Sequence, residues 1–343
     1  MQRRTFLSAV GLSALAWRAP LFRPMEATDS LKLHKPPRLQ AGMTVGLIAP
    51  ASSFTPEKYE AARKNLTDLG LKIVESPHLH EKNGYLAGTD AQRLSDLYWA
   101  FETPGIDAVW CIRGGYGCSR LLPMIDFSRI RRHRKVFIGY SDVTALHLAI
   151  QQHTGLVTFH GPVAASEFPA NTLQHFRSVL MEPVTPYIVR IPESDNLPAD
   201  ELYQPFVITP GTASGPLCGG NLTLLAALVG TPFAPSYRNK LVFIEDVGEQ
   251  PYRIDRMLTQ MLQGSDLRQA AGIALGVFAD CKAKGNDPSQ TLADTLRDRL
   301  GPLGIPVLYG LPFGHVAHQM TFPYGIPAEM DTAAGSLALV ERG

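Results

Sequence analysis

From residue 43 onward the chain alternates two kinds of hydrophobic pattern. Short apolar runs bounded by turn residues, at 44–49, 71–75, 107–112, 136–138 and 156–159, read as strands. Between them lie segments with apolar residues at helical spacing. The first, 56–69, carries Pro56 in its first turn and stops at Gly70; the second, 90–101, has Thr89 or Asp90 as its cap. A third opens from a glycine-rich turn, Arg113-Gly-Gly-Tyr-Gly-Cys-Ser-Arg120, and runs through Leu122. The fourth covers 142–152, with Val143, Leu146, Ala149 and Ile150 recurring on one face. This alternation predicts an α/β fold with a parallel sheet covered on both faces. Ligands in such folds sit beyond the carboxyl ends of the strands, which is where both glycine-bearing turns fall.

The pattern breaks between 181 and 216. Proline recurs there at 183, 186, 192, 198, 205, 210 and 216, so a linker is predicted over 183–215. A second unit follows, with strands at 240–245, 272–279, 306–309, 319–322 and 336–340 and helices at 221–228, 252–262 and 289–300. The expected organisation is an export signal and linker over 1–31, an N-terminal parallel-sheet domain over 32–182, the linker, and a C-terminal domain over 216–343.

Composition adds mainly exclusions. The 343 residues are 45% hydrophobic and 18% charged, with a formal net charge of +1, as in an ordinary globular protein and unlike a nucleic-acid surface. The one basic run, 129–135, precedes a strand and reads as a solvated helix end. Cys111, Cys118, Cys218 and Cys281 lack zinc spacing and lie in or beside apolar stretches, which predicts small buried side chains. His78-x-His80 and His315-x-x-His318 have no third ligand nearby, so neither a metal nor another cofactor is expected. The N-terminus is more informative. Met1-Gln-Arg-Arg-Thr-Phe-Leu-Ser8 sets Arg3 and Arg4 before an apolar run, 6–17, too short to span a bilayer comfortably. With Ala14-Leu15-Ala16 as a cleavage site, it resembles a twin-arginine signal. The expectation is delivery to the periplasm by the twin-arginine export machinery, with an uncleaved membrane anchor as the alternative.

The chemistry concentrates in three places. In Lys135-Val-Phe-Ile-Gly-Tyr-Ser-Asp-Val-Thr-Ala-Leu-His147, Ser141 falls where a strand stops and a helix begins. That is the setting of a nucleophile elbow, although Ser141 or Asp142 could instead simply cap the helix. Phe243-Ile-Glu-Asp-Val-Gly-Glu249 puts Glu245 and Asp246 where an apolar strand ends. Pro312-Phe-Gly-His-Val-Ala-His318 presents histidine in a predicted loop. Serine, carboxylate and histidine together supply a nucleophile, a base and a group that orients the base.

These segments resemble the L,D-carboxypeptidase family of serine peptidases, which includes the microcin-immunity peptidases. The resemblance runs from Val45 to about Asp331. It is carried in order by Leu86-Ala-Gly-Thr-Asp-Ala-Gln-Arg93, Ile106-Asp-Ala-Val-Trp-Cys-Ile-Arg-Gly-Gly-Tyr-Gly117 and Phe137-Ile-Gly-Tyr-Ser-Asp-Val-Thr-Ala-Leu-His147. Gly219-Gly-Asn-Leu222, then Leu241-Val-Phe-Ile-Glu-Asp-Val-Gly-Glu249 with Pro251-Tyr-Arg-Ile-Asp-Arg256, and finally Phe313-Gly-His315 with Thr321-Phe-Pro323 follow. It implies Ser141 as nucleophile, His315 as base and Glu245 as its orienter. The backbone N–H of Asp142 and one from Gly114 or Gly115, with Gly115 preferred, would stabilise the oxyanion. Arg113 would either hold a substrate carboxylate or pair with a protein acid. The implied fold is a flavodoxin-like parallel-sheet domain plus a smaller C-terminal α/β domain, with the site between them, commonly as a homodimer. The implied reaction is hydrolysis of the L,D-bond to the terminal D-alanine of murein tetrapeptides. The alternatives are a related serine amidase of the immunity type and a non-catalytic periplasmic binding module. One feature departs from the family: most members are cytoplasmic recycling enzymes, whereas this chain is expected to carry an export signal. The segment 162–206 matches weakly.

Overall fold

Strands buried along their whole length need cover on both faces, and β3 (Ala108–Cys111) and β4 (Val136–Gly139) are of this kind. In the computed structural model, which describes residues 32–193, 197–285 and 288–343, they form the middle of a six-stranded sheet. β1 (Thr44–Ile48), β2 (Lys72–Glu75) and β5 (Phe159–His160) complete its parallel part. From β2 the order is 2-1-3-4-5, the doubly wound flavodoxin-like arrangement expected from the sequence. The strand order reverses between β1 and β3, so the loops after these two strands part at that point. The helices α1 (Pro56–Asp68), α2 (Asp90–Glu102), α3 (Cys118–Leu121), α4 (Phe127–Arg131), α5 (Thr144–Thr154) and α6 (Ala170–Phe176) follow in chain order. α1 starts from Thr55, whose hydroxyl accepts from the Lys58 N–H, and α2 from a capping box between Thr89 and Gln92.

The second sheet has eight strands. β8 (Thr212–Asn221), β9 (Leu241–Glu245), β10 (Gly272–Val277) and β11 (Val307–Gly314) run parallel. β13 (Pro327–Asp331), β14 (Ser336–Leu339) and β6 (Tyr187–Arg190) extend it antiparallel on one side, and β7 (Phe206–Thr209) on the other. α7 (Leu222–Leu228), α8 (Pro251–Gly264) and α9 (Leu292–Leu300) belong to this half.

Two expectations need correction. The segment 183–215 is not a linker, because it supplies both edge strands, β6 and β7, and the start of β8. Its prolines misled because they flank the ladders. Pro186 precedes β6 and Pro192 follows it; Pro205 precedes β7 and Pro210 follows it. An edge strand accommodates proline at its ends, where no ladder hydrogen bond is lost. The C-terminal part is also not confined to its own sheet. β12 (Phe322–Pro323) crosses to the first sheet and pairs antiparallel with β5. Residues Lys32–Gly343 accordingly form one compact unit. The segment expected to hold an export signal and linker, 1–31, lies outside the described residues. All four cysteines are buried and free.

Candidate active site

The turn after β4 leaves the strand abruptly. Gly139 has no side chain because a Cβ there would lie 2.8 Å from a Val143 methyl. Two residues on, Ser141 takes φ +62°, a conformation that costs an L-residue roughly 1–2 kcal/mol. A short 3₁₀ turn, Ser141–Val143, then leads into α5. Neither start of this helix has a side-chain cap, so the capping reading of Ser141 and Asp142 does not hold. The strained turn instead directs the Ser141 hydroxyl out of its own sheet and towards the second one.

Two other strand ends meet it there. Glu245 is the last residue of β9, with its side chain fully buried. His315 follows β11 directly and keeps one fifth of its side chain exposed. β11 runs on to Gly314, so His315 springs from a strand end and not from the middle of the predicted loop. Its Nε2 lies 3.0 Å from Ser141 Oγ, and its Nδ1 lies 2.7 Å from Glu245 Oε2. With Glu245 ionised, Nδ1 carries the proton and donates it to the carboxylate, leaving Nε2 to accept from the serine hydroxyl. Burial works against a charged imidazole. The charge of Glu245, its hydrogen bond and the charge of Asp246 outweigh this and raise the His315 pKa above its ordinary value. The arrangement can remove the Ser141 proton, stabilise the resulting imidazolium and return the proton to a leaving group.

Of the two acids at this strand end, only Glu245 reaches the histidine. Asp246 points the other way, accepting from Asn221 Nδ2 at 3.1 Å, Thr223 N at 3.0 Å and Thr223 Oγ1 at 2.9 Å. Burial, helped by the Glu245 charge, pushes its carboxyl up to about 6. It anchors the start of α7. His318 is exposed, and among the described residues His315 alone bonds Ser141.

The glycine-rich loop lies alongside. A Cβ on Gly114 would sit 3.0 Å from Ser141 Cβ, 3.2 Å from its Oγ and 3.3 Å from the Asp142 nitrogen. One on Gly115 would run into Ser52, 2.4 Å from its Oγ. Gly114 therefore borders Ser141, and Gly115 packs against the loop after β1. Arg113 pairs with no protein acid among the described residues, against one of its two expected roles. Its Nη1 donates to Ser53 O at 2.9 Å and its Nε to Gly114 O at 3.1 Å, and no ion pair involves it among the described residues.

Several positioning groups escaped the sequence reading. The buried Asp142 carboxylate accepts the Cys118 N–H at 2.8 Å, tying the elbow to the glycine-rich loop. Arg93, 1% exposed, backs the same loop by donating to Gly117 O at 2.9 Å and to Pro50 O, while pairing with Asp90. Thr144 Oγ1 accepts from Asn221 N at 3.1 Å and so links α5 to the end of β8. Arg93 and Asn221 stand in quoted motifs. What neither spacing nor periodicity could tell is which distant groups they meet: Arg93 the carbonyls of Pro50 and Gly117, Asn221 the side chains of Thr144 and Asp246.

Beside His315 is a cleft of about 240 Å³ bordered by Tyr140, Ser166, Glu167, Ala317 and Gln319. The open side of His315 thus faces a space large enough to take a whole residue.

Comparison with known proteins places the chain in a family. Residues 45–161 match the LD-carboxypeptidase N-terminal domain and residues 214–330 the LD-carboxypeptidase C-terminal domain. The chain is 42% identical over 310 residues to a probable murein peptide carboxypeptidase of Bacillus subtilis, covering 90% of this chain and 95% of the relative. It is 37% identical over 295 residues to the murein tetrapeptide carboxypeptidase of Pseudomonas aeruginosa, covering 84% and 92%. Among solved structures, muramoyltetrapeptide carboxypeptidase from Oxalobacter formigenes superposes with a TM-score of 0.75 at 30% identity, covering 88% of this chain and 99% of that one. The first matched domain contains Ser141 and the second Glu245 and His315, so the relay is assembled across the two halves that define the group: this chain belongs to the LD-carboxypeptidase family.

Proposed function

We propose that this protein is a serine-type L,D-carboxypeptidase that releases the terminal D-alanine of murein tetrapeptides. The observation that carries the reading is the relay Ser141–His315–Glu245, with contacts of 3.0 and 2.7 Å, in a chain of this family. Ser141 Oγ attacks the carbonyl carbon of the L,D-bond while His315 Nε2 takes its proton. The tetrahedral intermediate collapses, the C–N bond breaks, and His315 delivers that proton to the departing nitrogen. Water, deprotonated by the same nitrogen, then hydrolyses the acyl-enzyme. The N–H groups of Asp142 and Gly115 serve as oxyanion donors. In support, the Asp142 nitrogen faces Gly114, and the Gly114–Gly115 peptide starts from the α-carbon that borders Ser141. Arg113, held by two carbonyls and free of acids among the described residues, holds a substrate carboxylate.

Mass spectrometry of a digest of purified murein tetrapeptide tests the reading. Appearance of the tripeptide and free D-alanine supports it. Cleavage of an acyl-adenylate peptide analogue with the tetrapeptide left intact would instead identify an immunity-type amidase. Gly114→Ala is expected to lower kcat by about 10²–10³-fold with little change in KM, because the added methyl occupies the space beside Ser141 Oγ where the oxyanion forms. Steady-state kinetics on the tetrapeptide checks this.

The same proposal includes export to the periplasm, supported by Arg3 and Arg4 ahead of the short apolar run. Replacing both with lysine should leave the precursor in the cytoplasm. Fractionation that finds mature protein in the periplasm regardless would rule out the twin-arginine route. A homodimer, implied by the family resemblance, is checked by light scattering of the purified protein.

A further inference from the structure

We propose that the cavity at the ends of β1 and β2 is a subsite for the amino sugar carried on the amino end of the substrate peptide. The inference rests on the murein peptide reading above and adds to it the group that lies furthest from the cut.

The direction of the substrate follows from the proton. His315 must hand it to the departing nitrogen, so the leaving residue lies beside His315. The cleft there is bordered by Tyr140, next to β4, and by Ser166 and Glu167, which follow β5. The leaving group therefore occupies the β5 side of Ser141. The acyl part runs the other way, over the ends of β3 and β1. Its path crosses Gly114 and Gly115, which put no side chain in the way, at the switch point where doubly wound sheets receive ligands.

Distance then selects the end point. Neighbouring strands lie about 4.8 Å apart, so β1 and β2 are roughly 10 and 14 Å from β4. A tetrapeptide has three residues before the scissile bond, and an extended chain covers about 3.3–3.6 Å per residue. Whatever is attached to its amino end arrives at the ends of β1 and β2.

A cavity of about 300 Å³ waits there. Phe54, Tyr59 and His80 form an aromatic wall. The Phe54 and Tyr59 rings stack at 6.2 Å, and His80 meets them edge-on at 5.6 and 5.1 Å. Glu75, the last residue of β2, holds two of these rings in place. It accepts from the Tyr59 hydroxyl and bonds His80 Nε2 at 2.9 Å. Ser53 at the cavity edge gives its carbonyl to Arg113, so the cavity adjoins the loop beside the nucleophile. Glu81 and Lys82 supply a charged rim. Fixed rings below a polar rim match an N-acylated amino sugar, which offers an apolar ring face for stacking and hydroxyl and amide groups at its edge.

The experiment compares the free tetrapeptide with the same peptide bearing an N-terminal muramoyl group, in the wild type and in Tyr59→Ala, Phe54→Ala and Tyr59→Phe. The wild type is expected to favour the muramoyl substrate about tenfold in kcat/KM, mostly through KM, as one stacked ring contact supplies. Both alanine variants should bring that ratio close to one, while Tyr59→Phe, which keeps the ring, retains most of it. A wild type that treats both substrates equally, or natively folded alanine variants that keep the wild-type ratio, would overturn the subsite and leave the carboxypeptidase reading standing. Release of D-alanine from neither substrate overturns the murein reading, and this subsite with it.

Discussion

Ser141→Ala lowers kcat for D-alanine release by roughly 10⁴–10⁶-fold, the size of loss that follows removal of the nucleophile from a serine relay. A residual rate would come from the proposed oxyanion donors and from substrate positioning, neither of which needs the hydroxyl. The fold should not change. The Ser141 side chain makes its described hydrogen bond only to His315, and alanine carries the same Cβ into the φ +62° conformation, so no new strain arises. Near-identical circular dichroism and melting temperature, together with lost turnover, are the expected result. A variant that keeps wild-type turnover would move the nucleophile elsewhere, and one that unfolds would make the loss uninformative about chemistry.

His315→Ala has an effect of similar size and also removes the acidic limb of the pH–rate profile. In the wild type this limb reports the base, which works only when neutral. Because Glu245 and Asp246 outweigh burial and raise its pKa, activity should fall as pH drops through a value above 6.5, the ordinary histidine value. Glu245→Gln takes away the nearest of these charges. It should therefore shift the limb towards lower pH while also reducing kcat, since the imidazole loses both its orienter and the stabilisation of its charged form. His318→Ala, at an exposed position outside the relay, should leave the limb in place. If His318→Ala abolished the limb and His315→Ala kept it, the identity of the base would be wrong even with Ser141 as nucleophile. kcat/KM measured from pH 5 to 9 on the tetrapeptide distinguishes these cases.

Much of the first half was legible because its information is local. Buried strands announce themselves as short apolar runs, helices by their spacing and caps, and the position of Ser141 by the glycine before it. The helix predicted from Asp142 begins instead at Thr144, after a 3₁₀ turn, because the strained serine must first be carried around the corner. Prolines were read as a boundary where they mark the ends of edge strands. Pairing partners of β6 and β7 lie more than 90 residues away, and no local pattern carries that register.

By itself, then, the sequence determined the alternation of strands and helices, the family, and the serine, glutamate and histidine of the relay, since each sits in an ordered motif beside its own strand end. Only the tertiary structure showed the contacts by which Glu245 and not Asp246, and His315 and not His318, meet at Ser141, turned Arg113 towards carbonyls, and set Gly114 against Ser141. Successive residues past a strand end can point in opposite directions. Which of them meets Ser141 depends on how the two sheets close on one another, through Thr144 and Asn221 and through β12 crossing to pair with β5. Those contacts join residues far apart in the chain, so their outcome exists only once both sheets are formed.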